Sequence, residues 1–372
     1  MRSRILIIVV VIAAAASIAL AAGIKIWPQI AGQPNYYIGL PADVYGLHPM
    51  DRESYGEGYF FLARMNDGTF TFTNYFVTNI GPGDHKSNID FSICEPGKEC
   101  VFAKTEFGKD PFQGATGKMD FRSGNSRAWG SYPNFQMTAA ANGLKLDLKY
   151  QAQLPGFAIN SGKVTFGNDD DFYSNYVLMP RAKVSGTITT AAGSRQVSGF
   201  GYSDHGFVTM MPHKYSKRWF SLRCFDEKYT LDILEFTVPP EHGGATVPMI
   251  IFGKDNKILY GGTRYTLKPS QWKTDPKFNK KYPARFDFSI DRPGKVKVDG
   301  HYTVQRIVEQ IDLLKTMSFL ERQVARFFAS SFVYVQHFRN GRSAEGLSRA
   351  VGQRHRRFDL HQEPVNERAG EE

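Results

Sequence analysis

Short runs of alternating polar and apolar residues, each closed by a turn signal, most constrain what this chain of 372 residues can become. Residues 182–188 and 196–202 are two β-branched runs flanking Ala191-Ala192-Gly193-Ser194, a hairpin signal. Residues 59–64 and 69–79 flank Met65-Asn66-Asp67-Gly68, and Asp-Gly is among the stronger signals of this kind. Ala141-Asn142-Gly143 divides 134–139 from 144–153. Strands are also expected at 87–94, 101–105, 117–122 and 128–129. After the break at Leu154-Pro155-Gly156 they resume at 218–225, 229–238, 246–252, 258–263, 265–267, 285–291, 295–298 and 302–308. No helical run separates them, so the spacing predicts an all-β antiparallel sandwich or barrel rather than a parallel sheet. An aromatic content of 14% agrees, because flat rings fit a pleated surface.

The two ends differ from this body. Arg2 and Arg4 precede the apolar run 5–22, about the length that spans a bilayer, and Ala19-Leu20-Ala21 lies near its end. A cleaved signal peptide and an uncleaved signal anchor both fit. Either sends the rest of the chain across the membrane, away from the cytoplasm. In a bacterium the protein would be anchored in the inner membrane facing the periplasm, or exported to the periplasm. Residues 319–328 carry an apolar stripe at helical period, whereas 330–338 read as helix or strand. Beyond them Arg339, Arg342, Arg349, Arg354, Arg356 and Arg357 make a basic tail, read as disordered. That tail is either simply solvated or a second contact with anionic head groups, alongside the N-terminal segment. The net charge of +10 suits such a surface, and no nucleic-acid-binding signature accompanies it.

Three cysteines occur. Cys94 and Cys100 bracket Glu-Pro-Gly-Lys-Glu, a tight turn across which two thiols can meet as a disulfide in an oxidising compartment. The alternative is two unrelated buried thiols. Cys224, in the alternating run 219–225, reads as a small core residue.

Asp204-His205 is the sharpest constellation. It falls at a strand end lined with Tyr, Phe, Met and Trp, where burial pushes both groups toward neutral forms. A protonated Asp204 there can act as a general acid toward an alkene or carbonyl, with His205 beside it. Adjacent strand residues face opposite ways, however, so only one of the pair can enter a given pocket. The plain structural reading is a turn aspartate and a satisfied histidine. His213, Arg218 and Trp219 form a second cluster, suited to a polar lipid head group or to an Arg–Trp packing contact. Glu235 sits in the apolar run 233–238; it does not share a parity with Asp232 and is expected to face solvent. Metal-binding, nucleotide-binding and serine-hydrolase motifs do not occur, so neither metal nor cofactor is expected.

Read together, Tyr176-x-x-Met179-Pro180-Arg181-Ala182-x-Val184-x-Gly186-x-Ile188, Gly199-x-Gly201-Tyr202-x-Asp204-His205 and Arg218-Trp219 resemble the tandem lipocalin-like superfamily. So do Glu57-x-Tyr59-Phe60, Asp67-Gly68 and Gly162-x-x-x-Phe166-Gly167 upstream. Met211-Pro212-His213 and Leu234-Glu235-Phe236-Thr237-x-Pro239 resemble its survival-factor branch of lipid carriers, and Asp204-His205 its carotenoid hydratase branch. The hydratases follow Asp-His with Trp-Gly, where this chain has Phe207-Val208.

The resemblance covers roughly residues 57–308 and implies two consecutive lipocalin-like antiparallel β-barrels. These would be an N-terminal domain at 57–170 and a C-terminal one at 171–314. A signal segment (1–24) and a linker (25–56) would precede them; a helical or mixed extension (315–338) and the tail (339–372) would follow. It implies a ligand-binding set of Tyr176, Arg181, Tyr202, His213, Arg218 and Trp219. The function expected first is non-catalytic carriage of a hydrophobic lipid, ceramide- or sphingolipid-like. The alternative is a hydratase, cyclase or isomerase acting on a terpenoid or polyketide, with Asp204 as acid.

Overall fold

A computed structural model of the chain describes residues 23–28, 37–79, 85–105, 113–225, 227–276, 279–292, 296–304, 306–312 and 333–338. Among these the backbone is β almost throughout. Helical geometry is confined to one turn at Pro212–Tyr215 and 3-10 turns at Ala42–Tyr45 and Pro240–His242. Turn chemistry explains the local pairings. Asn142 and Gly143 both take positive φ, 52° and 77°, and join Asn134–Ala141 to Leu144–Ala152. A two-residue hairpin whose twist matches its strands needs that conformation, and Asn and Gly reach it at little cost. Ala191-Ala192 turns Tyr176–Thr190 back onto Gly193–Val208 differently, with the positive φ, 107°, on Gly193 just after the turn.

The largest sheet runs Val101–Lys104, Lys86–Cys94, Phe70–Thr78, Gly56–Met65, Gly193–Val208, Tyr176–Thr190, Leu144–Ala152, Asn134–Ala141, Ser126–Ser131, Met119–Ser123 and Gln113–Gly114. All its pairings are antiparallel. The boundary expected between residues 170 and 171 therefore falls inside this sheet. The hairpin assigned to the second unit lies at the centre of the first, where Gly199 to Val208 pair with Met65 to Gly56. Close approach makes that pairing possible: a Cβ on Gly199 would stand 2.1 Å from the Arg64 carbonyl oxygen. The division between units lies instead at the short helix Pro212–Tyr215, before Arg218 opens the next sheet.

This sheet curls until the Tyr75 hydroxyl donates to the Thr138 carbonyl at 2.6 Å, across the interior. Tyr59, Phe61, Tyr75, Phe121, Phe135 and Tyr150 fill that interior, each no more than 2% exposed. The expected linker is part of the packing rather than a tether. Ile24–Ile26 pairs with Lys163–Phe166, and Val44, Tyr45 and Leu47 bury in the same aromatic core. Their apolar side chains gain more from burial than a free linker would from flexibility. Cys94 and Cys100 form a disulfide between the strands Lys86–Cys94 and Val101–Lys104.

Beyond the short helix, Arg218–Phe225, Tyr229–Thr237, Thr246–Lys254 and Lys257–Gly262 form a four-stranded sheet. Thr266–Asp275, Lys280–Arg292 and Val296–Thr303 form a three-stranded one. The four-stranded sheet is covered on both faces. Phe225, Leu234, Phe236, Met249 and Ile251 pack toward Leu62, Phe72 and Tyr202 of the first unit. Leu222, Ile233, Ile250 and Phe252 pack toward Phe286, Phe288 and Ile290 of the three-stranded sheet. A sheet buried on both sides reads as a nearly continuous apolar run, which is how Tyr229–Thr237 reads. Each fully buried Leu, Ile, Met or Phe contributes about 1.5–3 kcal/mol. A junction layer of this size joins the two units firmly. Cys224 packs against the second unit's core.

Val333–Phe338, in the stretch that reads as helix or strand from sequence, is a strand paired with Arg306–Asp312. Its Val, Tyr and Phe residues favour the extended form. The rest of that extension, the apolar run 5–22 and the basic tail 339–372 lie outside the described residues. No helix among the described residues is long and apolar enough to cross a membrane.

Candidate functional site

Gly193–Val208 carries the Asp-His pair, and alternation along it sends the two side chains into different cores. His205 points into the curled sheet and Asp204 to the junction. His205 is fully buried, with its Nδ1 2.8 Å from the Val44 carbonyl oxygen and its Nε2 2.9 Å from Glu57 Oε1. A carbonyl can only accept, so Nδ1 carries a proton. The Tyr59 ring stacks on the imidazole at 4.3 Å.

Glu57, also fully buried, gathers donors. Its Oε2 accepts from the Tyr55 hydroxyl and, at 2.8 Å, from the His48 amide, while its Oε1 lies 2.9 Å from His48 Nδ1. Burial alone would raise this carboxyl. The hydrogen bonds from His205 and His48, the His205 charge and the Tyr55 hydroxyl outweigh it and hold Glu57 at about 2. The ligand-type atoms of His48, Glu57 and His205 lie within 4.8 Å of one another, a donor set a transition metal can accept. His48 Nδ1 and His205 Nε2 each lie 2.9 Å from Glu57 Oε1, and with the contact of His205 Nδ1 to the Val44 carbonyl the cluster makes a buried polar knot that fixes Ala42–Tyr45 to the sheet. The Tyr55, Glu57, Tyr59 alternation was the sequence signal for it, since three residues at i, i+2, i+4 share a face.

Asp204 has different company. Its Oδ2 accepts from the Tyr202 hydroxyl at 2.8 Å and from Arg223 Nη2 at 2.8 Å. Arg223 comes from the first strand of the second unit, lies over the Tyr202 ring at 4.4 Å, and brings its Nε within 3.6 Å of Asp232. Burial raises the Asp204 carboxyl, and Arg223 opposes that rise. Burial also raises Asp232, to about 6, with Arg223 opposing and Asp204 adding to the rise. Neither Asp232 oxygen accepts a hydrogen bond within the described residues. Tyr202, Asp204, Arg223 and Asp232 thus make a charged seam through the apolar junction. A general acid needs its proton free to leave toward substrate. Burial, the larger effect, favours a protonated Asp204, but the Tyr202 hydroxyl and Arg223 Nη2 both donate to its Oδ2, which ties it into the seam.

These two sites act oppositely with pH. The folded Asp232 carboxyl lies near 6 against an ordinary 3.8, so its contribution to stability is present below 3.8 and lost as pH rises through 6. The folded Glu57 lies near 2 against 4.5, so its contribution is complete above 4.5 and lost as pH falls through 2. Urea denaturation across about pH 3–8 is expected to show a decline from about pH 4 to 6 that Asp232→Asn makes shallower, Asp90, which burial also raises to about 6, and Asp204 supplying the rest. The acid loss below pH 4.5 is expected to remain in that variant.

The ligand-binding set does not converge. Tyr176 donates to the Ser161 carbonyl at 3.0 Å and packs in the first core. Buried Arg181 reaches Asn256 at 3.0 Å, crossing to the second unit. Tyr202 and Trp219 lie in the junction, Trp219 stacked on Phe236 at 4.9 Å. Arg218 is exposed, its guanidinium over the Phe220 ring at 5.0 Å. His213 stands on the short helix. Glu235 does not face solvent as expected. It is half-buried on the second unit's inward face, where its Oε2 accepts from the Tyr265 hydroxyl at 3.1 Å. Phe220, opposite it on the neighbouring strand, and Leu259, Tyr260, Leu267 and Tyr302 of the same core also face inward, yet all remain partly exposed. The first unit's interior is solid with rings; the second unit's apolar interior is still reachable.

A curled antiparallel sheet joined to smaller stacked sheets places the chain among lipocalin-like all-β proteins. The fold is similar to that of AttH from Nitrosomonas europaea, with a TM-score of 0.56 and 14% identity, covering 83% of this chain and 92% of that one. It is also similar to CghA solved with Sch210972, with a TM-score of 0.52 and 11% identity, covering 75% and 89%. Within that class the chain belongs to the Svf1 family, whose model matches residues 98–355. It is 32% identical over 130 residues to "Ceramide-binding protein svf1" of Emericella nidulans, covering 34% of each chain. It is 24% identical over 218 residues to "Ceramide-binding protein SVF1" of Yarrowia lipolytica, covering 53% of this chain and 54% of that one. The matched stretch thus spans from a third to about half the length of these relatives.

Proposed function

We propose that this protein binds a ceramide-like lipid and carries it without chemical change, the acyl chain lodging between the stacked sheets of the second unit. One observation carries the reading: the inward-facing Phe220, Tyr260, Leu267 and Tyr302 stay partly exposed, while the rings inside the first unit are sealed. Concave apolar surface with a few polar groups is what binds a lipid of this kind. Two relatives in the family are named for ceramide binding, which supports the choice of ligand. On this reading the chain is a tandem of two lipocalin-like β-barrels of unequal role. The first is a rigid scaffold and the second is the container. The apolar run 5–22, as signal peptide or anchor, and the basic tail would hold the container near a membrane facing away from the cytoplasm.

Mass spectrometry of lipids co-purifying with the full chain tests this, together with titration by an NBD-labelled short-chain ceramide. Saturable binding near one lipid per chain is expected. Purification free of lipid, with no saturable ceramide binding, would overturn it.

A further inference from the structure

We propose that Glu235, held by Tyr265, is the polar anchor of the second unit's lipid site and selects neutral, hydrogen-bond-donating head groups over anionic ones. This rests on the lipid-binding reading above. Strand register fixes where Glu235 stands. It lies opposite Phe220 on one neighbouring strand and Pro248 on the other. It shares its face with Leu231 and Ile233, which belong to the second unit's interior core. The carboxylate therefore sits in an apolar wall, flanked on one side by a residue with no backbone N–H to offer.

Tyr265 supplies the carboxylate with one partner. Its hydroxyl donates to Oε2 at 3.1 Å, and the Met249 backbone also hydrogen-bonds to that hydroxyl. Oε1 receives no hydrogen bond from the described residues around it. Burial raises the Glu235 carboxyl, and the Tyr265 hydroxyl and the charge of Arg218, which is exposed and lies over Phe220, oppose that rise and favour the carboxylate. A half-buried carboxylate with an acceptor oxygen to spare, beside partly exposed rings, is built to receive a donor. Ceramide presents two hydroxyls and an amide N–H, all donors, and no charge. A fatty acid or a phosphorylated lipid would set an anion against Glu235 in a medium that screens poorly. The same residue thus attracts one class of lipid and repels the other, which is how specificity is usually built.

The test compares an NBD-labelled short-chain ceramide with an NBD-labelled fatty acid of equal chain length on the full-length protein. Glu235→Gln keeps the shape and removes the charge. It is expected to weaken ceramide binding by about 10- to 100-fold, the range for losing a charge-assisted hydrogen bond. It should strengthen fatty acid binding, so that the preference narrows or inverts. Tyr265→Phe, which leaves the carboxylate in place but unheld, should weaken ceramide binding only a few-fold and keep the discrimination. Wild-type protein that binds ceramide, with an unchanged ceramide-to-fatty-acid ratio in Glu235→Gln, would overturn this inference and leave the carrier reading standing. Should Glu235→Gln not fold, wild-type protein that binds both probes equally overturns it as well. Wild-type protein that binds neither probe defeats the carrier reading itself.

Discussion

Replacing Glu57 with leucine is expected to destabilise the folded chain by about 3–5 kcal/mol, the usual consequence of removing one partner from a buried ionic cluster. At about 2–4 °C per kcal/mol for units of this size, the melting temperature should fall by roughly 6–20 °C. The reason lies in what remains behind. Tyr55, the His48 amide, His48 Nδ1 and His205 Nε2 all address this carboxylate, and leucine accepts from none of them. His205 is fully buried under the Tyr59 ring and cannot turn to water. Glu57→Gln should fall between leucine and wild type, since the amide keeps one acceptor but points two hydrogens at groups that are themselves donors. Differential scanning calorimetry reads the difference. A loss below about 1 kcal/mol for leucine would show that the knot contributes little to the fold.

Arg223→Met is the second large effect. It leaves Asp204 and Asp232 facing each other in the junction without a cation, again a cost of about 3–5 kcal/mol near neutral pH. Losing the cation pushes both carboxyls further up, so the defect should shrink as the buffer is acidified and the aspartates take up protons. Combining Arg223→Met with Asp204→Asn and Asp232→Asn should recover most of the stability, because no buried charge is then left unpaired. A double-mutant cycle between residues 223 and 204 measures the coupling directly. Additive single losses would mean that the seam does not join the units electrostatically. Below its melting temperature the triple variant should still bind ceramide, since the seam lies on the face of Tyr229–Thr237 opposite Glu235.

Much of the local architecture can be read from the residues. Asn142-Gly143 and Ala191-Ala192 announce hairpins because each turn is decided by a few dihedral angles within it. Alternation along Gly193–Val208 was enough to separate Asp204 from His205. The site was far less legible. Arg223 stands in sequence between Leu222 and Cys224, with nothing nearby to say that it crosses to Asp204. Glu235 lies in a run so apolar that its parity carries no label; both faces of its strand are covered, so alternation no longer distinguishes inside from outside.

The residues by themselves determined an all-β chain, its hairpins and the opposite facing of its Asp-His pair, because these depend on steric preferences a few residues long. Only the tertiary structure decided that residues 176–208 complete the first sheet, that the Asp204 carboxylate pairs with a second-unit arginine, and that Glu235 faces an apolar interior. Each of those rests on strands far apart in the chain meeting in one register. Loop-closure entropy varies only slowly with chain separation, so packing and backbone pairing choose the partner, and no local pattern records the choice.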